Sequence, residues 1–85
     1  MANYELLIKR SAVKELEALP PKYRSRIAAK IHALSTEPRP PGAEKLSGEE
    51  KYRIRQGDYR VLYEIDDGVR TVTIVRIGHR RDVYR

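Results

Sequence analysis

Apolar and polar positions change period along this chain, and the changes divide it into elements. From Tyr4 to Lys9, Leu6 and Ile8 fall on one face and Leu7 on the other, which predicts a first strand. Ser11 suits the N-cap of a following helix, whose buried side is marked by Val13, Leu16 and Leu19. Pro20 ends that helix, and Pro21 suits the first turn of a second one. There Tyr23, Ile27, Ile31 and Leu34 form one apolar stripe, with Lys22, Arg26 and Lys30 elsewhere on the surface. Pro38-Arg39-Pro40-Pro41-Gly42 breaks the second helix and opens a loop to about Glu50, anchored by Leu46.

Period two then resumes. Ile54, Tyr59, Val61 and Tyr63 take one face of a hairpin that turns at Gly57-Asp58, and Arg53, Arg55 and Arg60 take the other. This register sets Arg55 opposite Arg60. Like charges directly opposite are destabilising, so the fold itself does not call for the pair, whereas a bound phosphate would explain it. A second turn at Asp67-Gly68, with those two residues as the loop, pairs Tyr63 with Val72 and Val61 with Ile74. Both pairs land on the apolar face already defined, and Arg76 falls opposite Tyr59. The predicted architecture is α+β, in the order strand-helix-helix-strand-strand-strand. A helical hairpin packs on one face of a small, mainly antiparallel sheet. The other face displays Arg53, Arg55, Arg60, Leu62, Glu64, Thr71 and Thr73.

Size and charge narrow the functions. Eighty-five residues are expected to make a single domain, residues 1–85, with one modest core and a monomeric state. There is no cysteine and there are only two histidines, which argues against disulfides, a thiolate nucleophile or a structural zinc site. Met1 to Lys9 is charged by residue 5 and reads as neither a signal peptide nor a membrane span, so the expected location is the cytoplasm, with no membrane partner. The net charge of +6 is uneven. Residues 1–50 carry 9 Lys/Arg against 7 Asp/Glu, and residues 51–85 carry 9 against 5, with eight of the last nine cations being arginine. Arginine's planar fork matches phosphate, so the basic half points to nucleic acid or an acidic protein. The plainer reading is a solvated surface that keeps a small protein soluble.

The tail Gly78-His79-Arg80-Arg81-Asp82-Val83-Tyr84-Arg85 adds a second constellation. Gly78 suits a strand end or a bulge. His79 supplies an imidazole, the side-chain type suited to proton transfer under physiological conditions, and Tyr84 can stack on a base or give up a proton. Terminal residues also fray, and an exposed tail histidine without a role is the plainer reading. His32, on the second helix, reads as an ordinary surface or boundary residue. Asp66 and Asp67 read as turn formers, and Glu64 as a counter-charge on the arginine face.

Tyr-Arg-Ile-Arg at 52–55, Gly-Asp-Tyr-Arg at 57–60, Leu-Tyr-Glu-Ile at 62–65 and Ile-Gly-His-Arg-Arg-Asp-Val-Tyr at 77–84 resemble the hallmark segments of the RelE/ParE toxin superfamily, in particular the RelE-like mRNA interferases. The likeness covers essentially the whole chain, including the Lys45-Leu46-Ser47-Gly48 loop. It implies the toxin of a type II toxin–antitoxin system. The implied activity is that of a cofactor-free, metal-independent endoribonuclease, which cleaves mRNA in the ribosomal A site by attack of a ribose 2′-hydroxyl on the adjacent phosphate. The implied partners are a cognate RelB-like antitoxin, the ribosome and mRNA, with operator DNA bound only by the toxin–antitoxin complex.

By position, Arg60 and Arg80 match the family's phosphate-stabilising arginines, and Tyr84 a family tyrosine at shorter spacing. Arg53 and Arg55 stand where the best-known members have lysines. These five and His79 are the expected catalytic residues, with Lys51, Arg81 and Arg85 binding RNA. Arginine effectively cannot give up its proton, so His79 is the expected proton carrier and Tyr84 its competitor. The sequence stops at Arg85, short of any longer C-terminal helix that the resemblance implies, so Tyr84 is expected to be held loosely unless the ribosome or substrate orders it. A ParE-like inhibitor of DNA gyrase without nuclease activity is the alternative, and a non-catalytic RNA-binding module a third reading.

Overall fold

The computed structural model describes residues 3–46 and 50–79. Seven elements follow one another: β1 (Glu5–Ile8), α1 (Arg10–Glu17), α2 (Pro21–Ala33), β2 (Glu44–Lys45), β3 (Lys51–Gln56), β4 (Tyr59–Asp66) and β5 (Thr71–His79). The strands form one sheet in the order β1-β5-β4-β3-β2. β1 runs parallel to β5, and every other pairing is antiparallel. The α+β fold is the expected one. The two-residue β2, inside what reads as a loop, adds a fifth strand.

The expected cap at Ser11 is not used. Lys9 is the N-cap, and no side chain caps the helix. The Lys9 N–H donates to the Ile74 carbonyl at 3.0 Å, so the chain leaves the β1–β5 ladder and enters α1 without a linker. α1 ends at Glu17, earlier than Pro20 requires. Its fully buried residue is Ala12, with Leu16 and Leu19 packed at the margin. A small side chain lets the helix lie close to the sheet. Pro20 and Pro21 start α2 as expected, and Ile27, Ile31 and Leu34 are buried. Each such side chain stabilises the fold by roughly 1.5–3 kcal/mol through burial.

The sheet supplies Tyr52 and Ile54 from β3, Val61, Tyr63 and Ile65 from β4, and Val72, Ile74 and Ile77 from β5. The Tyr52 and Tyr63 rings stack with centroids 5.8 Å apart. The Tyr63 hydroxyl donates to the Pro38 carbonyl at 2.7 Å, and burial pushes its pKa up to about 12. This bond ties the chain leaving α2 to the middle of the sheet.

The first hairpin has the predicted register, with Arg55 opposite Arg60, and Gly57 takes the left-handed conformation at φ +61°. The second differs. Asp66 pairs with Thr71, so the connection has four residues rather than two. The Asp66 carboxylate accepts from the Gly68 and Val69 N–H groups, and Arg70 closes the turn at φ +56°. The shift is two residues, so Val72 and Ile74 keep the apolar side. A bulge then intervenes. Tyr63 pairs with Ile74 but Leu62 with Arg76, which leaves Val75 as the extra residue. Beyond it the faces exchange. Ile77 enters the core opposite Val61, and Arg76 leaves the apolar face for the side of Leu62. His79, not Arg76, stands opposite Tyr59. β5 ends at His79, one residue beyond Gly78, and its bulge lies at Val75 rather than at the glycine.

β1 reaches only as far as Ile74, and Glu15 of α1 covers part of the remaining edge of β5. Its carboxylate accepts the Ile77 N–H at 2.9 Å and lies 3.5 Å from Arg76 Nε. Among the described residues no helix is long and apolar enough to cross a membrane.

Candidate functional site

Alternation on β3 and β4 gives the sheet face turned away from the helices its chemistry. Lys51 pairs with Glu64, Arg53 with Leu62 and Arg55 with Arg60, while Gly78 of β5 lies opposite Arg60 from the other side. Three guanidiniums therefore share one end of the face, as expected. The other end is acidic. Glu50, Glu64 and Asp66 line a recess of about 290 Å³ there, together with Lys51, Thr71 and Thr73.

The arginines have a carboxylate among them that sequence reasoning missed. Glu44 on β2 pairs in register with Arg53. Its Oε2 lies 2.6 Å from Arg53 Nη2, and its Oε1 lies 3.6 Å from Arg55 Nη2. The hydrogen bond from Arg53, then its charge, holds the Glu44 carboxyl below the usual carboxylate range, and Arg55 and Arg60 lower it further. Glu64, expected to temper the arginines, instead faces Lys51 at 4.0 Å. No pattern in the chain singles out Glu44, because a two-residue strand has no period.

A polar network holds the segment that delivers Glu44. Arg39 pairs with Asp67 at 2.9 Å and with Glu50 at 3.2 Å, donates to the Tyr52 hydroxyl, and lies over the Tyr52 ring. Tyr52 in turn donates to Glu50, and Tyr4 to Asp67. At the other margin, Lys30 of α2 donates to the Arg55 carbonyl at 2.9 Å.

His79 is half-buried, with its ring edge-on to Tyr59 at 5.9 Å, and Tyr59 lies 5.2 Å from Tyr23. Register places His79 on the side of Tyr59, so it is not brought onto the face of Arg55 and Arg60. Arg80, Arg81, Tyr84 and Arg85 lie outside the described residues, as do Ser47 and Gly48 of the loop. His32 is exposed on α2, the surface position expected. Among the described residues no group of three or more His, Asp or Glu side chains is placed to hold a metal ion.

A helical hairpin on one side of a five-stranded mixed sheet is the build of a RelE/ParE-superfamily toxin. The chain belongs to that superfamily: the family described as "ParE toxin of type II toxin-antitoxin system, parDE" matches residues 6–84. Toxin RelG of Mycobacterium tuberculosis is 36% identical over 86 residues, covering 96% of this chain and 97% of that protein. The toxin–antitoxin complex RelBE2 of the same organism contains a chain of the same fold at a TM-score of 0.79 and 33% identity, covering 92% of this chain and 99% of that one. The archaeal RelE–RelB complex from Pyrococcus horikoshii OT3 does so at a TM-score of 0.80 and 28% identity, covering 98% and 100%.

Proposed function

We propose that this toxin is a ribosome-dependent endoribonuclease that cleaves mRNA in the A site. The observation that carries the reading is the Arg55–Arg60 cross-strand pair, with Arg53 beside it. Placing like charges opposite one another costs stability, and a phosphate gives that cost a purpose. Attack of a 2′-hydroxyl on the adjacent phosphate gathers negative charge on the phosphoryl oxygens. Guanidiniums already in position stabilise that charge without reorganising. The products are a 2′,3′-cyclic or 3′-phosphate and a 5′-hydroxyl.

Arg53, Arg55, Arg60 and Arg80 take the phosphate-stabilising role, and Lys51, Arg81 and Arg85 bind the RNA backbone. Because arginine stays protonated, His79 carries the proton, with Tyr84 as its competitor. His79 sits on the far side of the sheet margin from Arg60, so this role requires the substrate to pass over that margin. The chemistry uses no metal or cofactor. The protein acts in the cytoplasm as one domain and is held inactive by a RelB-like antitoxin. The RelE–RelB complexes of similar fold support that partner. The toxin–antitoxin pair, not the toxin alone, binds operator DNA.

The second reading, inhibition of DNA gyrase, is favoured by the description of the matching family as ParE toxin. Induced expression followed by mapping of mRNA 5′ ends separates the two. Cuts within in-frame codons are the expected result. Intact mRNA with trapped gyrase would establish the second reading.

A further inference from the structure

We propose that Glu44 is a specificity-determining residue of the arginine face, an internal anion lodged across Arg53 and Arg55 that a substrate phosphate must displace. The proposal rests on the phosphate-binding reading above. The two carboxylate oxygens divide between two guanidiniums, 2.6 Å from Arg53 and 3.6 Å from Arg55, the arrangement two phosphoryl oxygens would adopt. The Arg53 side chain is only 13% exposed, whereas that of Glu44 is 53% exposed, so the carboxylate lies on the solvent side of the cation it engages. The carboxylate stays ionised at neutral pH, being held below its usual range by Arg53.

β2 holds Glu44 by two register pairs only, while the chain before it is fixed by Pro38 and Arg39 and the chain after it by the Leu46 N–H on the Lys51 carbonyl. Glu44 can therefore withdraw without unravelling its anchors. An isolated phosphate has to outcompete a tethered carboxylate and binds weakly. A strand of phosphates presented in fixed geometry gains several cations at once and wins. Isolated phosphates and other small anions are thereby disfavoured, which is specificity obtained by penalising the wrong partner.

The test is fluorescence anisotropy with a short, labelled 2′-O-methyl oligoribonucleotide, which carries the phosphates but not the attacking hydroxyl. Glu44→Gln keeps the shape and removes the charge. Glu17→Gln makes the same change in net charge at the exposed end of α1, on the helix side of the sheet, and serves as the control. E44Q is expected to bind about fivefold more tightly than the unmodified toxin, as loss of a competing surface ion pair implies. E17Q is expected to change binding by less than about twofold. Thermal melts establish that each variant is folded, and Glu44→Thr, which suits a strand, repeats the test should E44Q melt early. Binding by folded E44Q or E44T no tighter than that of E17Q overturns the proposal. The phosphate-face reading is tested separately with Arg55→Ala. Lost binding in R55A beside unchanged binding in E44Q removes only the role of Glu44, whereas unchanged binding in R55A removes both.

Discussion

Glu44 Oε2 approaches Arg53 Nη2 to 2.6 Å, joining the shortest strand of the sheet to the middle of β3. This contact turns a run of like charges into a mixed array. Among the described residues, one half of the outer face is guanidinium around the Glu44 carboxylate, and the other half is predominantly acidic. A polyanion crossing such a face has a preferred direction and a preferred end.

Arg60 is opposite Arg55 in the first hairpin. Arg60→Ala is expected to lower ribosome-dependent mRNA cleavage by about 100-fold, the usual loss on removing a preorganised group that stabilises transition-state charge. It should also relieve growth arrest on induction. Full toxicity in an Arg60→Ala, Arg80→Ala double variant would exclude the nuclease reading.

His79 stands edge-on to Tyr59. His79→Ala is expected to slow single-turnover cleavage while leaving ribosome binding nearly unchanged. An unaltered single-turnover rate would transfer the proton to Tyr84 or to a group of the substrate.

Asp67 receives hydrogen bonds from Arg39 and from Tyr4, which hold its carboxyl below the usual carboxylate range. A carboxylate with a depressed folded-state pKa stabilises the fold above its unfolded value, about 4, and loses that contribution as pH falls through the folded value. Asp67→Asn should therefore melt below the unmodified protein at pH 7. The gap should narrow on acidification below about pH 4, where the unmodified carboxyl also becomes neutral. A gap independent of pH would assign the effect to packing rather than charge.

Tyr63 donates from a buried position to the Pro38 carbonyl. Tyr63→Phe keeps the ring and removes the bond, and should cost about 1 kcal/mol in urea denaturation. Because this bond roots the segment leading to β2, the variant should also speed amide exchange at Leu46, whose N–H closes that segment on Lys51.

Ile27 is fully buried between α2 and the sheet. Ile27→Ala should destabilise the fold by about 2–5 kcal/mol, as expected for a truncation that leaves a cavity. A loss below about 1 kcal/mol would mean that the helices close over the gap.

What the sequence by itself determined was everything carried by local periodicity. The stripe Ile27, Ile31 and Leu34 placed α2 on the core. Alternation from Lys51 to Tyr63 placed the arginines on one face, and Gly57-Asp58 set Arg55 against Arg60, because a tight turn leaves the register no freedom. The tertiary structure decided what depends on partners distant in sequence. The bulge at Val75 moved Arg76 to the side of Leu62, brought Ile77 under the helices and set His79 against Tyr59. Packing against α1 and the β4 ladder selects that register, and neither is written in the spacing of β5. Glu44 is the sharpest case. Two residues carry no period, so only the closing of β2 against β3 shows that a carboxylate from a proline-rich loop sits among the arginines.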